Sequence, residues 1–288
     1  MVSPYFGIPV EKWADKTKEL IEQHPLDVNE IYEIVCGNPR IKEIYLEVET
    51  ISINLDYAYS LFDKLRDYNS TRQIPIKFGI NLSMTKRIMY NREFIEKLKA
   101  AGITSINIGL ESGSERVRKD ILNRPPYTND EIITFCSIIR EYGIFINMYV
   151  IIGIPGESRQ EFQETIDCVR KCKPNYVQIG VYYPYPGTVL YSIVRSGGLL
   201  EDDIVLTSAE RCYPIFDLPN FSKREIRLEY VMFYIKAMIG IMPLLSILKC
   251  TFINFISPYP KIGRFIKEIM TKLKLQKSFI KQKNVVGE

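Results

Sequence analysis

Five short apolar runs alternate with helical patterns along the first two thirds of the chain. Each run is rich in Val, Ile, Phe and Tyr, the residues that favour buried strands. A helical pattern separates each run from the next, and such successive βα units form parallel sheets. The predicted strands cover residues 41–49, 76–83, 105–111, 145–153 and 176–183. The predicted helices between them cover residues 53–67, 91–101, 128–142 and 159–171.

Polar residues at the carboxyl ends of the predicted strands favour a barrel over an open sheet. Glu49, Asn81, Glu111, Glu157 and Tyr183 each end or follow a different strand. A (β/α) barrel builds its active site from the ends of many strands, whereas an open sheet concentrates its site near one switch point. We therefore expect an α/β fold of the barrel type, or an open and partial version of it.

The strand–helix alternation stops near residue 201, where a helical extension is predicted. Residues 222–240 have a helical pattern of apolar positions. The very apolar stretch 237–260 is too interrupted by polar residues and proline for a membrane span, so we interpret it as a buried hairpin. We therefore divide the chain into a partial barrel at residues 1–200 and a C-terminal helical extension with a basic tail at residues 201–288.

Composition and charge indicate a globular protein and argue against a nucleic-acid-binding one. The chain is 46% hydrophobic and 25% charged, with a formal net charge of +4. Residues 259–288 hold eight Lys or Arg and two Glu, which leaves the rest of the chain nearly neutral. A nucleic-acid-binding fold would carry its basic residues over its own surface, so no nucleic-acid partner is expected.

The basic tail and the cysteines indicate where in the cell the protein is located. Residues 261–288 have apolar residues at helical spacing, and we expect them to pack against the barrel, with an anionic membrane surface as the alternative. The six cysteines are too sparse for a disulfide framework, and the N-terminus has no secretory signal pattern. A cytoplasmic protein is predicted, with a peripheral membrane location as the alternative.

Three motifs at successive strand ends carry the candidate chemistry. In run 106–122 (INIGLESGSERVRKDIL), the Glu111 carboxylate and small residues precede a helix N-terminus, a setting that suits hydroxyl and anion contacts. Run 149–166 (YVIIGIPGESRQEFQETI) has closely spaced glycines, where the backbone turns sharply and a ligand can approach. Run 182–191 (YYPYPGTVLY) ends the last strand. Each motif is weak alone, but the three in this order are specific.

On these motifs the sequence resembles the radical SAM superfamily, in the branch that includes cobalamin-dependent radical SAM methyltransferases and the methylthiotransferases. The likeness covers roughly residues 28–195. It implies a partial (β/α) TIM-like barrel with five of the six family strands, which binds S-adenosylmethionine (SAM) on its C-terminal rim. It also implies a 4Fe–4S cluster, at which SAM is reduced to release a 5′-deoxyadenosyl radical, and cobalamin as a further cofactor of the intact protein.

The resemblance also implies a set of SAM-binding residues, although it names no catalytic residue. Glu49 corresponds to the polar group near the methionine ammonium. Glu111 and Ser112 match the motif in which a carboxylate accepts hydrogen bonds from the ribose hydroxyls. Arg124 is interpreted either as a partner of the ligand carboxylate or as a solvated turn residue. The positions that border the adenine are Ile151, Gly153, Gly156, Glu157 and Tyr183.

The family's CxxxCxxC cluster motif does not occur in the 288 residues. Cys168 and Cys172 have the first spacing, but Asn175 stands where a third cysteine would be needed. Both cysteines lie on a predicted helix, so we interpret them as core thiols and assign no metal ligand to this chain.

The leading hypothesis is that the chain is the C-terminal portion of a radical SAM enzyme. Its N-terminal part would be missing from a truncated gene model or supplied by a partner chain that carries the cluster. One alternative is a non-catalytic remnant or accessory subunit that binds SAM or a partner protein without redox chemistry. Another is a peripheral membrane accessory protein that uses residues 261–288. The substrate stays unassigned, because specificity in such barrels lies in loops and extensions.

Overall fold

The computed structural model describes residues 54–200 and 210–259 without a break, and residues 31, 37–38, 40–46, 51 and 52 before them. Within these residues, five parallel strands form one sheet in their order along the chain. The strands are β1 (Glu43–Leu46), β2 (Lys77–Leu82), β3 (Ile103–Glu111), β4 (Phe145–Ile152) and β5 (Tyr176–Val181). The predicted α/β fold with five parallel strands is confirmed, and every described strand lies within two residues of its predicted start.

Helices connect the strands and form the C-terminal part of the described chain. The prediction located five of the eight described helices and gave the last one, Leu244–Ile256, as part of a hairpin. It missed two short helices, at Lys86–Met89 and Val189–Ser196, and a π-helical turn after β3 (Val117–Ile121). The helices are α1 (Leu55–Ser70), α2 (Lys86–Met89), α3 (Arg92–Ala100), α4 (Asn129–Glu141), α5 (Arg159–Cys172), α6 (Val189–Ser196), α7 (Lys223–Met238) and α8 (Leu244–Ile256).

Capping residues fix where the helices begin and end. Thr128 and Glu131 form the capping box that the sequence predicts for α4, with each side chain accepting from the other residue's backbone N–H. Gly143 follows α4 with a φ of +65°, which a glycine adopts without strain. A second capping box, formed by Ser158 and Glu161, begins α5. The chain therefore enters α5 at a fixed angle directly after β4.

The two faces of the sheet differ in polarity. The helices cover one face, where every second strand residue is buried and apolar, as Ile80, Ile108 and Met148 show. The other side of the sheet carries polar residues at the alternate positions and stays partly accessible. We call this side the open face; its polar residues include Asn81, Asn107, Asn147 and Gln178.

The C-terminal helices pack against the barrel through polar anchors. The buried Glu229 carboxylate on α7 accepts hydrogen bonds from Arg159 of α5 at 2.8 Å and from Lys236 at 2.6 Å. The Tyr234 hydroxyl donates to the Val177 carbonyl of β5 at 2.8 Å. These contacts join α7 to α5 and β5. The division at residue 200 stays a prediction.

The predicted burial of residues 237–260 is wrong in part. They contribute the end of α7 and the whole of α8, and these two helices form the hairpin. The hairpin is not buried, because α8 turns only one side toward α7, and Leu245 is 82% exposed. None of the described helices is long and apolar enough to cross a membrane. The basic tail, residues 261–288, lies outside the described residues.

A glycine after β3 lets that strand's loop contact α5 closely. A Cβ atom at Gly113 would lie 2.4 Å from the Thr165 Cα atom of α5, which is far inside van der Waals contact. The Gly113 N–H donates to the Thr165 hydroxyl at 2.7 Å. The absence of a side chain at Gly113 therefore sets the distance between the β3 loop and α5.

We expect Gly113→Ala to lower the free energy of unfolding by about 1–3 kcal/mol, because α5 or the β3 loop must move apart. Gly180→Ala is the matched control, since a Cβ atom at Gly180 meets nothing within 4 Å. That control should change the stability by less than about 1 kcal/mol. Urea denaturation of both variants measures the difference, and equal losses would contradict the close approach at Gly113.

Candidate functional site

The carboxyl ends of β3, β4 and β5 bring most of the predicted site residues to one edge of the sheet. Glu111 and Ser112 lie at the end of β3, and Gly153 and Gly156 follow β4. Tyr183 follows β5, the next strand in the sheet. Parallel neighbouring strands end at the same edge, so these residues line one rim. Glu49 lies outside the described residues, and its place in the site stays a prediction.

Glu111 has an unusual backbone conformation that directs its carboxylate over the open face. Its φ of +62° is in the left-handed region, which a residue with a side chain rarely adopts. The β3–β4 register shifts between Gly109 and Glu111. A Cβ atom at Gly109 would lie 2.5 Å from the Glu111 Oε1 atom, so the carboxylate occupies the space that Gly109 leaves empty. Strained residues of this kind are common at functional sites.

Arg124 holds the Glu111 carboxylate. Its Nη2 atom donates to Glu111 Oε1 at 2.6 Å. The Glu111 side chain is 14% exposed and the Arg124 side chain is 35% exposed, so the pair is accessible on one side only. The guanidinium therefore has a carboxylate partner within the protein, and both interpretations of Arg124 stay predictions.

The Ser112 side chain is buried in the loop after β3 and is not exposed on the surface. Its hydroxyl oxygen accepts from the Ser114 N–H at 3.2 Å. The same hydroxyl lies 3.4 Å from the hydroxyl of Thr165 on α5. Ser112 thereby fixes the turn that directly follows Glu111, and its assignment as a SAM contact stays a prediction.

One carboxylate, that of Glu161, ties the β3 and β4 loops together. Arg116 of the β3 loop donates to Glu161 at 2.7 Å and to the Gly156 carbonyl at 2.8 Å. Glu161 also accepts from the Ser114 hydroxyl at 3.2 Å while it caps α5 through Ser158. Burial alone would raise the pKa of Glu161, but the hydrogen bonds from Arg116 and Ser158 outweigh it and lower the pKa to about 2.

Glu157 lies inside the loop after β4. It is 2% exposed, and its Oε2 atom accepts from the N–H groups of Gly153 at 2.8 Å and Ile154 at 3.3 Å. Its Oε1 atom is buried without a hydrogen-bond partner among the described residues. Burial raises the pKa of Glu157 to about 8, although the two backbone hydrogen bonds act in the opposite direction. The Glu157 carboxyl group thus stabilises the loop that contains Gly153 and Gly156.

The other two predicted adenine-bordering residues differ in accessibility. Ile151 is half-buried on the open face, where it pairs in register with Gly180 of β5. The space over Gly180 is free, so the two residues leave a flat apolar area. Tyr183 is buried and its ring contacts Tyr185 at 5.2 Å between centroids. Its neighbour Tyr182 has a buried hydroxyl without a hydrogen-bond partner among the described residues.

A row of linked polar side chains crosses the open face, and the sequence analysis named only one of them, Asn81. Asn147 Nδ2 donates to Asn107 Oδ1 at 2.9 Å, and Asn107 Nδ2 donates to the Tyr45 hydroxyl at 2.6 Å. The Tyr45 hydroxyl in turn donates to Asn81. We call these four residues the open-face row. Its sequence signal is the alternation of polar and apolar residues within the strands, whereas the prediction considered only the strand ends.

The part of the chain that the structure describes has no metal-binding group. It holds no cluster of three or more His, Cys, Asp or Glu side chains placed to bind a metal ion. Hydrogen bonding to Cys172 together with burial raises the pKa of the Cys168 thiol, and contact with Cys136 does the same for Cys172. Buried, protonated thiols are poor ligands, so their interpretation as core residues is confirmed. The described residues therefore do not fit a 4Fe–4S cluster.

Comparison with known proteins identifies relatives of the chain. The sequence profile of the radical SAM superfamily matches residues 15–169. An uncharacterized methyltransferase of Pyrococcus horikoshii is 28% identical over 210 residues, which cover 66% of this chain and 44% of that protein. A tRNA-2-methylthio-N(6)-dimethylallyladenosine synthase of Thermotoga petrophila is 34% identical over 89 residues, which cover 30% of this chain and 20% of that protein. The chain thus spans less than half the length of these relatives.

A solved structure shares the fold. It is TsrM, a radical S-adenosylmethionine methyltransferase from Kitasatospora setae, with cobalamin and a 4Fe–4S cluster bound. The TM-score is 0.52 at 16% sequence identity, and the match covers 69% of this chain and 39% of that one. At this identity the likeness shows a common fold alone.

The raised pKa of Glu157 predicts that the stability of the folded chain depends on pH. Its ordinary pKa of 4.5 applies to the unfolded chain, whereas the folded pKa is about 8. The folded state therefore binds this proton more tightly, and the stabilisation that is complete below pH 4.5 is lost as the pH rises through 8. Relative to Glu157→Gln, the wild-type chain should lose up to about 1.4 kcal/mol per pH unit in this window.

Urea denaturation at several pH values measures this difference. Glu115→Gln is the control, because Glu115 is an exposed carboxylate of the neighbouring β3 loop. The stability difference between that control and the wild-type chain should stay constant with pH in the same window. A constant difference for Glu157→Gln as well would contradict the raised pKa.

Proposed function

Because the chain belongs to the radical SAM superfamily, in the branch with methyltransferase and methylthiotransferase relatives, we propose that its barrel binds SAM for a radical SAM enzyme. The profile match over residues 15–169 covers more than half of the chain. The observation that carries the proposal is the Glu111 carboxylate, which is fixed by Arg124 over the open face at the carboxyl ends of the strands. A pair of ribose hydroxyls requires an acceptor of this kind.

The rim around Glu111 offers the other features that SAM requires. Gly153 and Gly156 have φ values of +77° and +82°, so the loop after β4 makes a tight turn that residues with side chains would adopt only under strain. Ile151 beside Gly180 supplies a flat apolar area for the adenine. The buried Glu157 carboxyl holds the loop in place, and we assign it a positioning role.

The open-face row supplies neutral donors and acceptors next to this rim. Asn107 and Asn147 lie on β3 and β4, four residues or more before the strand ends. Their amides are already hydrogen-bonded to one another, so they form a preorganised polar surface and lose little entropy when a ligand binds. We propose that this surface contacts the part of SAM or of the substrate that lies deepest in the barrel.

Membership of this family implies radical chemistry on SAM, for which a 4Fe–4S cluster would supply the electron. The described residues do not fit such a cluster, so we propose that its ligands come from elsewhere, such as a partner polypeptide. Cobalamin is a further proposed cofactor of the whole protein, because the structure of TsrM contains it. The buried free thiols suit a reducing compartment, and we propose a cytoplasmic location.

We expect the purified chain to bind SAM, and Glu111→Gln to weaken this binding roughly 10- to 100-fold, because a charged hydrogen-bond acceptor is lost. Glu115→Gln, a change of the same kind in the β3 loop, should leave the affinity unchanged. Isothermal titration calorimetry on the folded variants measures both. A folded wild-type chain that does not bind SAM, or equal losses in the two variants, would overturn the assignment.

Anaerobic reconstitution with iron and sulfide tests whether the cluster ligands lie outside this chain. The chain by itself should not acquire the broad visible absorption of a 4Fe–4S cluster, since it lacks CxxxCxxC. Cys168→Ser and Cys172→Ser distinguish adventitious iron binding from a built site. A cluster spectrum that is lost in either variant would contradict the interpretation of these cysteines as core thiols.

A further inference from the structure

Helix α8 has its large apolar side chains on the outside. The residues that it turns toward the protein include Ile247 and Asn254, which are buried, and the half-buried Cys250 and Thr251. The side chains on the outward side are larger and more apolar, and each is between 47% and 82% exposed. They are Leu244, Leu245, Leu248, Phe252, Ile253 and Phe255. We call this set the α8 apolar face.

Hydrogen bonds to α7 fix the rotation of α8. The Asn254 side-chain amide donates to the Tyr230 carbonyl at 2.9 Å, and Arg227 donates to the Phe255 carbonyl at 2.7 Å. A rotation that buried Leu245 or Leu248 would break the Asn254 contact and leave a polar group unpaired. The outward direction of the α8 apolar face is therefore determined by the packing of the hairpin.

An apolar surface of this size needs an occupant. Isolated exposed leucines are normal, but six large apolar side chains are exposed on this one short helix, with the exposed Lys249 between Leu245 and Ile253, and such a concentration marks an interaction site. The helix is also too short to cross a bilayer. It is suited to lie along an interface with its apolar side buried and its ends in water.

The charge of the sequence after α8 indicates what kind of surface the α8 apolar face contacts. Lys249 is the charged residue of α8, and residues 261–288, directly after Tyr259 and Pro260, hold eight Lys or Arg against two Glu. A second copy of this chain would carry the same excess of positive charge, which opposes self-association. An anionic lipid surface satisfies both features, because acyl chains accept the apolar face and the headgroups attract the basic residues.

We infer that α8 is a membrane-surface helix, which lies in the plane of an anionic bilayer with its apolar face in the acyl region. Stable peripheral attachment requires two contributions, and the chain offers both, an apolar helix and a polybasic segment. This attachment is separate from SAM binding, because α8 packs on α7 and not on the rim of the barrel.

Sedimentation with vesicles tests the inference. The full chain is mixed with vesicles of phosphatidylcholine alone or with roughly one third phosphatidylglycerol. We expect binding to the anionic vesicles, at least about tenfold weaker binding to the neutral ones, and a loss of affinity as salt is added. The double substitution Leu245→Glu and Phe252→Glu should reduce binding to anionic vesicles at least about tenfold.

The double substitution Ile74→Glu and Ile193→Glu is the matched control. These side chains are 65% and 50% exposed on other helices and loops, so the variant adds the same charge elsewhere and should bind as the wild-type chain does. Circular dichroism and SAM titration verify that both variants are folded.

Three results would overturn the inference. In the first, the folded wild-type chain does not sediment with anionic vesicles. In the second, both double variants lose the same affinity, which would indicate a general charge effect. In the third, the wild-type chain is a dimer and does not bind vesicles, and the double substitution Leu245→Glu and Phe252→Glu dissociates the dimer. That result would assign the α8 apolar face to a second copy.

Discussion

The arrangement of the rim depends on the Glu161 carboxylate. It caps α5, accepts from Ser114 and Arg116 of the β3 loop, and through Arg116 is linked to the Gly156 carbonyl of the β4 loop. Burial opposes a charge at this position, but the charged hydrogen bonds more than compensate for it. Glu161 therefore stays ionised under physiological conditions, and the two motif loops keep a fixed relative position. Glu157, four residues earlier, has the opposite balance, because its burial outweighs the hydrogen bonds from the Gly153 and Ile154 backbone amides.

One face of the sheet supplies the hydrophobic core, and the other carries the polar residues of the candidate site. The helix-covered face supplies the hydrophobic core, and its residues are nearly all inaccessible. The open face contributes little to that core, so it can carry amides, a phenol and a carboxylate. In a doubly covered parallel sheet these positions would be apolar. The polarity of the open face is therefore itself a sign that a ligand or substrate faces it.

The sequence predicts the strands well, because each buried run is short, apolar and bounded by turn residues. It also predicts the α4 capping box, whose two side chains are three residues apart. The pair of Glu111 and Arg124 could not be predicted in the same way, because it depends on a left-handed backbone and on a turn after the π-helical segment. The exposure of α8 escaped prediction for another reason. Apolar residues occur on most of its circumference, so the hydrogen bonds of Asn254 and Arg227 between α8 and α7 decide which side faces out.

The side chain of Tyr45 determines how β1 pairs with the rest of the sheet. Its ring lies over Gly79, where a Cβ atom would be 2.6 Å from the Tyr45 Cδ2 atom, and its hydroxyl reaches two neighbouring strands. A slip of β1 by one residue would turn this ring to the helix-covered side and bring the aliphatic Ile44 over Gly79. Tyr45 thus fixes the register of the described part of β1 against β2 and β3.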